Sequence, residues 1–261
     1  MPSPTEPKEL YGANARYPFG MKRNPYDMQV ATAFKASREV PREGLEEWRA
    51  AVGRYLAPGM TVVDIGAGTG AYAAAFRDWF GVDVIAVEPS DAMRSHIPAT
   101  IPAFAGEAAA LPLPDDSADA VWLSLVLAHV PDLEAAAYEI RRVLRPGGRI
   151  IIRQGFPGRL DGVELVRWFP ETARVASTFP TLEDTCRAFA CAGFEREALA
   201  SVRETRPGGA AGLLAETDAL RAADTTLRAI TDDEFERGRD RLRAARADEP
   251  RDNWLDLVVL R

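Results

Sequence analysis

The chain is poor in the side chains that carry most enzyme chemistry. Its 261 residues hold two His (His96 and His129), two Cys (Cys186 and Cys191) and three Lys (Lys8, Lys22 and Lys35), against 29 Arg. Each shortage excludes a class of protein. Two Cys five positions apart cannot hold a chain of this length, so a disulfide scaffold is out. The same pair, without clustered His, has the wrong spacing for structural zinc, and no metal is expected. No Gly-Lys pair exists, which excludes a Walker A phosphate loop. A Schiff-base enzyme needs a lysine in its core, and no Lys follows Lys35. Long apolar runs are also missing. The stretch 120–130 is too short to span a bilayer and contains Ser124 and His129. Residues 1–10 carry three prolines and no apolar run, unlike a signal peptide. A cytoplasmic protein with no membrane partner is the expectation.

The remaining composition is that of a globular protein. Hydrophobic residues make up 47% and charged residues 27%, with a net charge of -7 and a pI near 5.1. The length supports one large core with room for a subdomain. The acidic balance disfavours a nucleic-acid partner. An Ala- and Arg-rich, Lys-poor chain also suggests a GC-rich bacterial genome.

Hydrophobic periodicity orders the chain. Asn24-Pro25 reads as N-cap and N1 of a helix over 26–38, and Pro41 starts a second helix carrying Leu45, Trp48, Val52 and Tyr55 on one side. Strands are predicted over 60–65, 82–87, 101–105, 118–125 and 149–153. Between them lie helices over 71–80, after Ser90, and from Asp132 to about Leu144. Strands alternating with helices imply a parallel sheet covered on both faces. Beyond it, 156–179 is an aromatic, Pro-interrupted insertion. Thr181 caps a helix that Gly193 ends, and 194–203 reads as a strand. Thr231-x-x-Glu234 is a capping box, and 254–260 is the last strand. Two terminal strands with intervening helices imply an antiparallel edge.

The chemistry concentrates at the first strand-to-helix turn, Gly66-Ala67-Gly68-Thr69-Gly70. Glycine there lets the backbone approach a ligand, and the helix N-terminus offers free N–H groups. Gly66-x-Gly68-x-x-Ala71 also satisfies the dinucleotide fingerprint, and Glu88 ends the next strand where a ribose acceptor belongs. A plain tight turn with an exposed strand-end acid is the bland alternative. Asp64, just before the first glycine, would repel a pyrophosphate and suits a cationic ligand group. The missing downstream Lys removes the Tyr-x-x-x-Lys chemistry of short-chain reductases.

Taken together, these segments resemble class I S-adenosylmethionine-dependent methyltransferases, most closely small-molecule enzymes similar to quinone-biosynthesis C-methyltransferases. Val63-Asp64-Ile65-Gly66-Ala67-Gly68-Thr69-Gly70 resembles the first motif and Glu88-Pro89-Ser90 the second. Gly106-Glu107-Ala108-Ala109-Ala110-Leu111-Pro112 resembles the third, and Leu144-Arg145-Pro146-Gly147-Gly148 the turn before strand five. The likeness covers roughly 55–155. It implies an α/β fold: a Rossmann-like, seven-stranded, mostly parallel sheet with an antiparallel edge strand and helices on both faces. Residues 1–55 would form an N-terminal helical arm or lid and 56–261 the methyltransferase domain. Within that domain, 156–180 would be an acceptor-side insertion and 206–250 a helical insertion before the last strand.

The cofactor implied is S-adenosyl-L-methionine. Gly66, Ala67, Gly68 and Gly70 would pack on its methionyl part, with Asp64 in the network at the ammonium and Leu125 near the methionyl arm. Glu88, followed by Pro89, would take the ribose hydroxyls. Glu107 would face the adenine amine with the Ala108 backbone beside the ring. Where the family often has a second acid, this chain has Ala109. Met93 packs on adenine or is plain core. Arg38 reaches the cofactor carboxylate or is simply solvated.

The activated methyl arrives with such a cofactor, so the protein mainly positions a nucleophile and excludes water. That demand fits the scarcity of His, Lys and Cys. His129, just past strand four, is the candidate catalytic base; a structural His in the same loop is the alternative. His96 reads as surface. The acceptor pocket is expected from Tyr17 and Tyr26 in the arm, Gln154 at the end of strand five, and Phe156, Trp168 and Phe169 in the insertion. Ordinary core packing is the competing reading for each aromatic. The arginine run 237–246 reads as a solvated helix face. The expected partner is a small-molecule acceptor, and a homodimer is compatible with the sequence. The rival functions are an RNA or protein methyltransferase, a non-catalytic cofactor-binding module and a nicotinamide oxidoreductase.

Overall fold

The computed structural model describes residues 43–261 together with Met28, Ala31 and Thr32. The expected helix over 26–38 therefore falls largely outside the described residues.

The alternation of strand and helix patterns builds a single sheet. Its strands are β1 (Thr61–Ile65), β2 (Asp83–Val87), β3 (Ala103–Phe104), β4 (Ala118–Ser124), β5 (Leu144–Gln154), β6 (Arg196–Arg206) and β7 (Arg251–Leu260). They lie in the order β3-β2-β1-β4-β5-β7-β6. The first five pair in parallel, whereas β7 runs antiparallel to both β5 and β6. This is the expected seven-stranded Rossmann-like sheet with an antiparallel β7 near its edge. A consequence follows for the site. Because β7 is reversed, the carboxyl end of β6 and the amino end of β7 share the sheet edge where β1, β2, β4 and β5 end.

Successive strand residues point to opposite faces, and each face buries its own layer. Val63, Ile65, Val121, Leu123, Ile150 and Ile152 pack under α4 (Leu133–Val143) and α7 (Leu182–Cys191). Val62, Val84, Trp122 and Ile151 pack under α1 (Glu46–Val52) and α2 (Ala71–Phe80). In the second layer Trp48, Phe76 and Trp122 make edge-to-face contacts, with Trp48 and Trp122 centroids 6.3 Å apart. The helix starts follow local sequence. Ser90 caps α3 (Asp91–Arg94), Asp132 caps α4, and Thr181 caps α7 with Asp184 returning the bond. Gly193, with φ +80°, follows α7.

Several expected boundaries shift, among them the strand expected over 194–203, which is Arg196–Arg206, and the last strand, which starts at Arg251 instead of 254. The helix placed from Pro41 is assigned from Glu46. The third strand shrinks to Ala103–Phe104. Strand five begins at Leu144, because Leu144 pairs with Ala118 before a register shift across Pro146-Gly147-Gly148.

The two insertions form a third apolar cluster. Here α5 (Glu164–Trp168) and α6 (Thr172–Ala176) meet α8 (Gly209–Ala223), α9 (Thr225–Ala229) and α10 (Asp232–Ala244). Trp168, Phe169, Leu213, Leu227 and Phe235 are buried together, and Phe169 stacks on Phe235 at 5.5 Å. Gly238 permits that contact, since a Cβ there would lie 2.0 Å from Phe169 Cδ1. This corrects the expectation for Trp168 and Phe169. Each insertion is too small to bury its apolar face alone, so the two bury one another and these aromatics become core. On α10 the capping box is present, and Arg237, Arg239, Arg241 and Arg243 each face an acidic side chain, as does Arg246 just past its end.

Candidate active site

A cavity of about 370 Å³ follows the carboxyl edge of the sheet. That is within the range of small-molecule and cofactor sites. Its wall holds Asp64, Gly66, Ala67, Gly68, Glu88, Pro89, Met93, Glu107, Ala108, Leu125, His129 and Gln154. One edge thus gathers residues that are scattered over ninety positions of sequence.

The glycine turn is built by close approach. Gly66, Gly68 and Gly70 all have positive φ, and the Gly66 N–H donates to Val87 O at 2.8 Å. A Cβ on Gly66 would sit 2.5 Å from Val126 Cγ2, so the turn and the loop after β4 fit only around glycine. Gly70 is not part of the cavity wall. It is the left-handed N-cap of α2 and packs against Ile97. Leu125 holds a φ of +54° and donates its N–H to Arg153 O at 2.9 Å. Such backbone strain costs on the order of 1–3 kcal/mol and concentrates at ligand sites.

Two acids stand at the strand ends. Asp64 is buried, and burial followed by the nearby Glu88 charge pushes its carboxyl up to about 7, against an opposing bond from the Ala73 N–H. Glu88 accepts the Gly68 N–H on one oxygen and the Ser90 N–H on the other, both at 2.9 Å. Burial raises its pKa, and these two N–H groups and Arg94 oppose the rise. Each Glu88 oxygen keeps a second acceptor site, which a vicinal diol can use. A buried acid with no cation bonded to it among the described residues, beside a diol acceptor, fits a ligand that carries a ribose and a positive charge.

His129 closes the short 3₁₀ turn after β4, and its Nε2 lies 3.4 Å from Thr225 Oγ1 on α9. Thr225 had no motif to mark it, because it comes from the insertion 96 residues downstream. Gln154 is buried in the wall, donating weakly to Gly155 O at 3.3 Å. Phe156 is fully buried in the main core layer beneath α4 and is not part of the wall. Tyr17, Tyr26 and Arg38 lie outside the described residues. His96 is half-buried after α3 and away from the cavity, with its Nε2 sealed from solvent.

The β6 and β7 ends extend the cavity with charges that local sequence did not reveal. Arg153 pairs with Glu204, and both are buried. Asn253 donates to Glu204 at 2.9 Å, and Arg153 reaches Ser124 Oγ at 3.2 Å. Burial works against the Glu204 charge, but Arg153 and Arg206 outweigh it and hold the carboxyl below its usual range. Arg251 pairs with Glu164 at 3.0 Å and Glu216 at 3.1 Å. Leu160, Val163, Leu165, Val166 and Phe179 add apolar lining to the same cavity.

Fold and site together define a Rossmann-like α/β protein with a glycine turn and two buried acids at the carboxyl edge of its sheet. Comparison with known proteins narrows this. A family model described as a methyltransferase domain matches residues 63–152. The chain is 32% identical over 175 residues to a demethylmenaquinone methyltransferase of Mycolicibacterium paratuberculosis, covering 61% of this chain and 76% of that one. It is 35% identical over 145 residues to the enzyme of the same name from Beutenbergia cavernae, where it spans 51% of this chain and 60% of the relative. An Anabaena variabilis protein described as a methyltransferase of an antibiotic biosynthesis pathway shares the fold. Its TM-score is 0.62 at 22% identity, covering 94% of this chain and 98% of that one. The chain belongs to the class I S-adenosylmethionine-dependent methyltransferases.

Proposed function

We propose that this chain transfers a methyl group from S-adenosylmethionine to an oxygen, nitrogen or carbon of a small, apolar or aromatic acceptor. The observation that carries the reading is the make-up of one cavity, which is lined by the buried acids Asp64 and Glu88, the glycine turn, His129 and the apolar residues Leu160, Val163, Leu165, Val166 and Phe179. The glycine turn and Leu125 would bear on the methionyl part, Asp64 would face the ammonium, and Glu88 the ribose hydroxyls. Glu107 and Ala108 would flank the adenine with Met93. When bound, the cofactor supplies a methyl group already activated on a sulfonium.

The protein's own contribution is then placement and proton handling. Leu160, Val163, Leu165, Val166 and Phe179 exclude water from the acceptor side. His129, in the same cavity wall, would take a proton from an acceptor hydroxyl, ammonium or acidic carbon. Gln154 offers that acceptor an amide. The relatives named as demethylmenaquinone methyltransferases support an apolar ring as acceptor.

The proposal includes no nucleic-acid partner. The arginines of α10 are engaged with acids. Among the described residues, no helix is long and apolar enough to cross a membrane. A bacterial, cytoplasmic enzyme, alone or as a homodimer, completes the proposal. The test is incubation with methyl-labelled S-adenosylmethionine and demethylated quinones chemically reduced to their hydroquinones. Label in the recovered ring supports the reading. Label appearing instead in added RNA or protein would replace it with a macromolecular acceptor.

A further inference from the structure

His129 and Thr225 meet in the cavity from two separately built parts of the molecule. His129 ends the 3₁₀ turn after β4, with its N–H on Val126 O at 2.8 Å, so its backbone is held at the sheet. Thr225 opens α9, in the insertion before the last strand. Both are half-buried, and both line the cavity. The corner that carries Thr225 is firmly tied. The Asp224 N–H donates to Leu220 O on α8 at 2.7 Å, and Asp224 Oδ1 accepts the N–H groups of Thr226 and Leu227 at 2.9 and 3.1 Å. Ala223 and Leu227, on either side of the corner, are buried. The two neighbouring threonines then differ. The Thr226 hydroxyl donates to Asp224 at 2.6 Å, whereas the Thr225 hydroxyl has His129 Nε2, at 3.4 Å, as its one hydrogen-bond partner among the described residues. Catalytic contacts of this length tighten when substrate fills a site.

A base must keep one orientation before and after it takes a proton. A neutral imidazole has one N–H and one lone pair, and an imidazolium has two N–H groups. A hydroxyl serves both states, since it can donate to a bare Nε2 or turn and accept from Nε2–H. An apolar side chain in its place can do neither. We propose that Thr225 is the positioning residue for His129, its hydroxyl holding Nε2 while the ring takes a proton from the acceptor. The inference rests on the proposed role of His129 as base. The proton passes from the acceptor to the ring and then to solvent, and Thr225 neither gains nor loses one overall. Its bond to the charged ring is the stronger, about twice a neutral one, so Thr225 favours the imidazolium. The insertion thereby takes part in proton transfer besides lining the cavity with Leu220 and Ala223.

Nuclear magnetic resonance of the two His rings in the full chain tests the contact, His129 being identified by its loss in His129→Ala. Thr225→Val keeps the shape and removes the hydroxyl, Thr225→Ser keeps the hydroxyl, and both leave the Asp224 charge in place. The His129 titration midpoint is expected to fall by about half a unit to one unit in Thr225→Val and to return in Thr225→Ser, with His96 unmoved. Turnover of a demethylated hydroquinone tests the role. Thr225→Val should lower kcat about two- to tenfold, the size of one hydrogen bond, with KM and S-adenosylhomocysteine affinity near wild type. In the His129→Ala background the same substitution should have no further effect, because Thr225 acts through His129. An unmoved His129 midpoint, or an equal loss of turnover in both backgrounds, overturns the proposal. If His129→Ala turns over like wild type, the base reading fails and the inference with it. If His129→Ala is impaired and Thr225→Val is not, the base reading stands and the inference alone fails.

Discussion

Asp64 and Glu88 end neighbouring strands with both carboxyl groups buried, and burial together with the Glu88 charge carries Asp64 up to about 7. The pair sets the pH behaviour of the site. In the free protein Asp64 is protonated below about 7, so binding a ligand ammonium there must release that proton. Affinity for S-adenosylhomocysteine is expected to rise as pH passes upward through 7, and to fall by up to about tenfold per pH unit below it. Stability has the opposite sign. The folded-state pKa lies above the ordinary value of 3.8, so the folded state binds more protons across that interval. The contribution of Asp64 to stability is therefore present below about 3.8 and is lost as pH rises through about 7. Asp64→Asn should raise the melting temperature of the unliganded protein at pH 8, with the gap closing toward pH 4, while weakening the ligand. A variant less stable than wild type at pH 8 would contradict this.

The proposed role of His129 as a base makes a kinetic prediction. His129→Ala should lower turnover by about 10²–10⁴-fold, the usual range for a general base, and leave S-adenosylhomocysteine affinity near wild type. Undiminished turnover would show that positioning alone suffices.

The glycine turn gives a steric prediction. Gly66 and Gly59 both have positive φ, but a Cβ at Gly59 meets nothing within 4 Å, whereas one at Gly66 meets Val126 at 2.5 Å. Gly59→Ala should cost only the backbone strain, about 1 kcal/mol. Gly66→Ala should cost about 1–3 kcal/mol more from overpacking, with Val126→Ala restoring part of it. Denaturant midpoints measure both.

Arg153 and Glu204 are more dependent on each other than their charges suggest. Breaking a buried pair leaves an uncompensated charge and costs about 3–5 kcal/mol, whereas removing both charges is far milder. Glu204→Gln alone should therefore lower the melting temperature more than the double variant with Arg153→Gln. The reverse order would show that Arg153 is solvated.

Much of this molecule was legible locally. The first motif, the acid at Glu88, and the caps at Ser90, Asp132, Thr181 and Thr231 are short-range signals, and local geometry realises them. The rest depends on topology. Trp168 and Phe169 looked like an acceptor wall because aromatic composition says that a residue packs, not against what. They pack against Leu213 and Phe235, which come from the other insertion. Arg153, Glu204 and Asn253 carry no shared motif. They meet only because the reversed β7 brings the β6 end to the same edge. Thr225 reaches His129 for the same kind of reason, across the helical insertion.

The central claim is that the β1–β2 edge is built for an adenosyl amino-acid cofactor and not for a pyrophosphate dinucleotide. Parallel calorimetric titration of the wild-type chain with S-adenosylhomocysteine and with NADH tests it most directly. Saturable binding of S-adenosylhomocysteine, weakened at least about tenfold by Glu88→Ala, with no heat from NADH, is the result expected. Binding of NADH without binding of S-adenosylhomocysteine would contradict it.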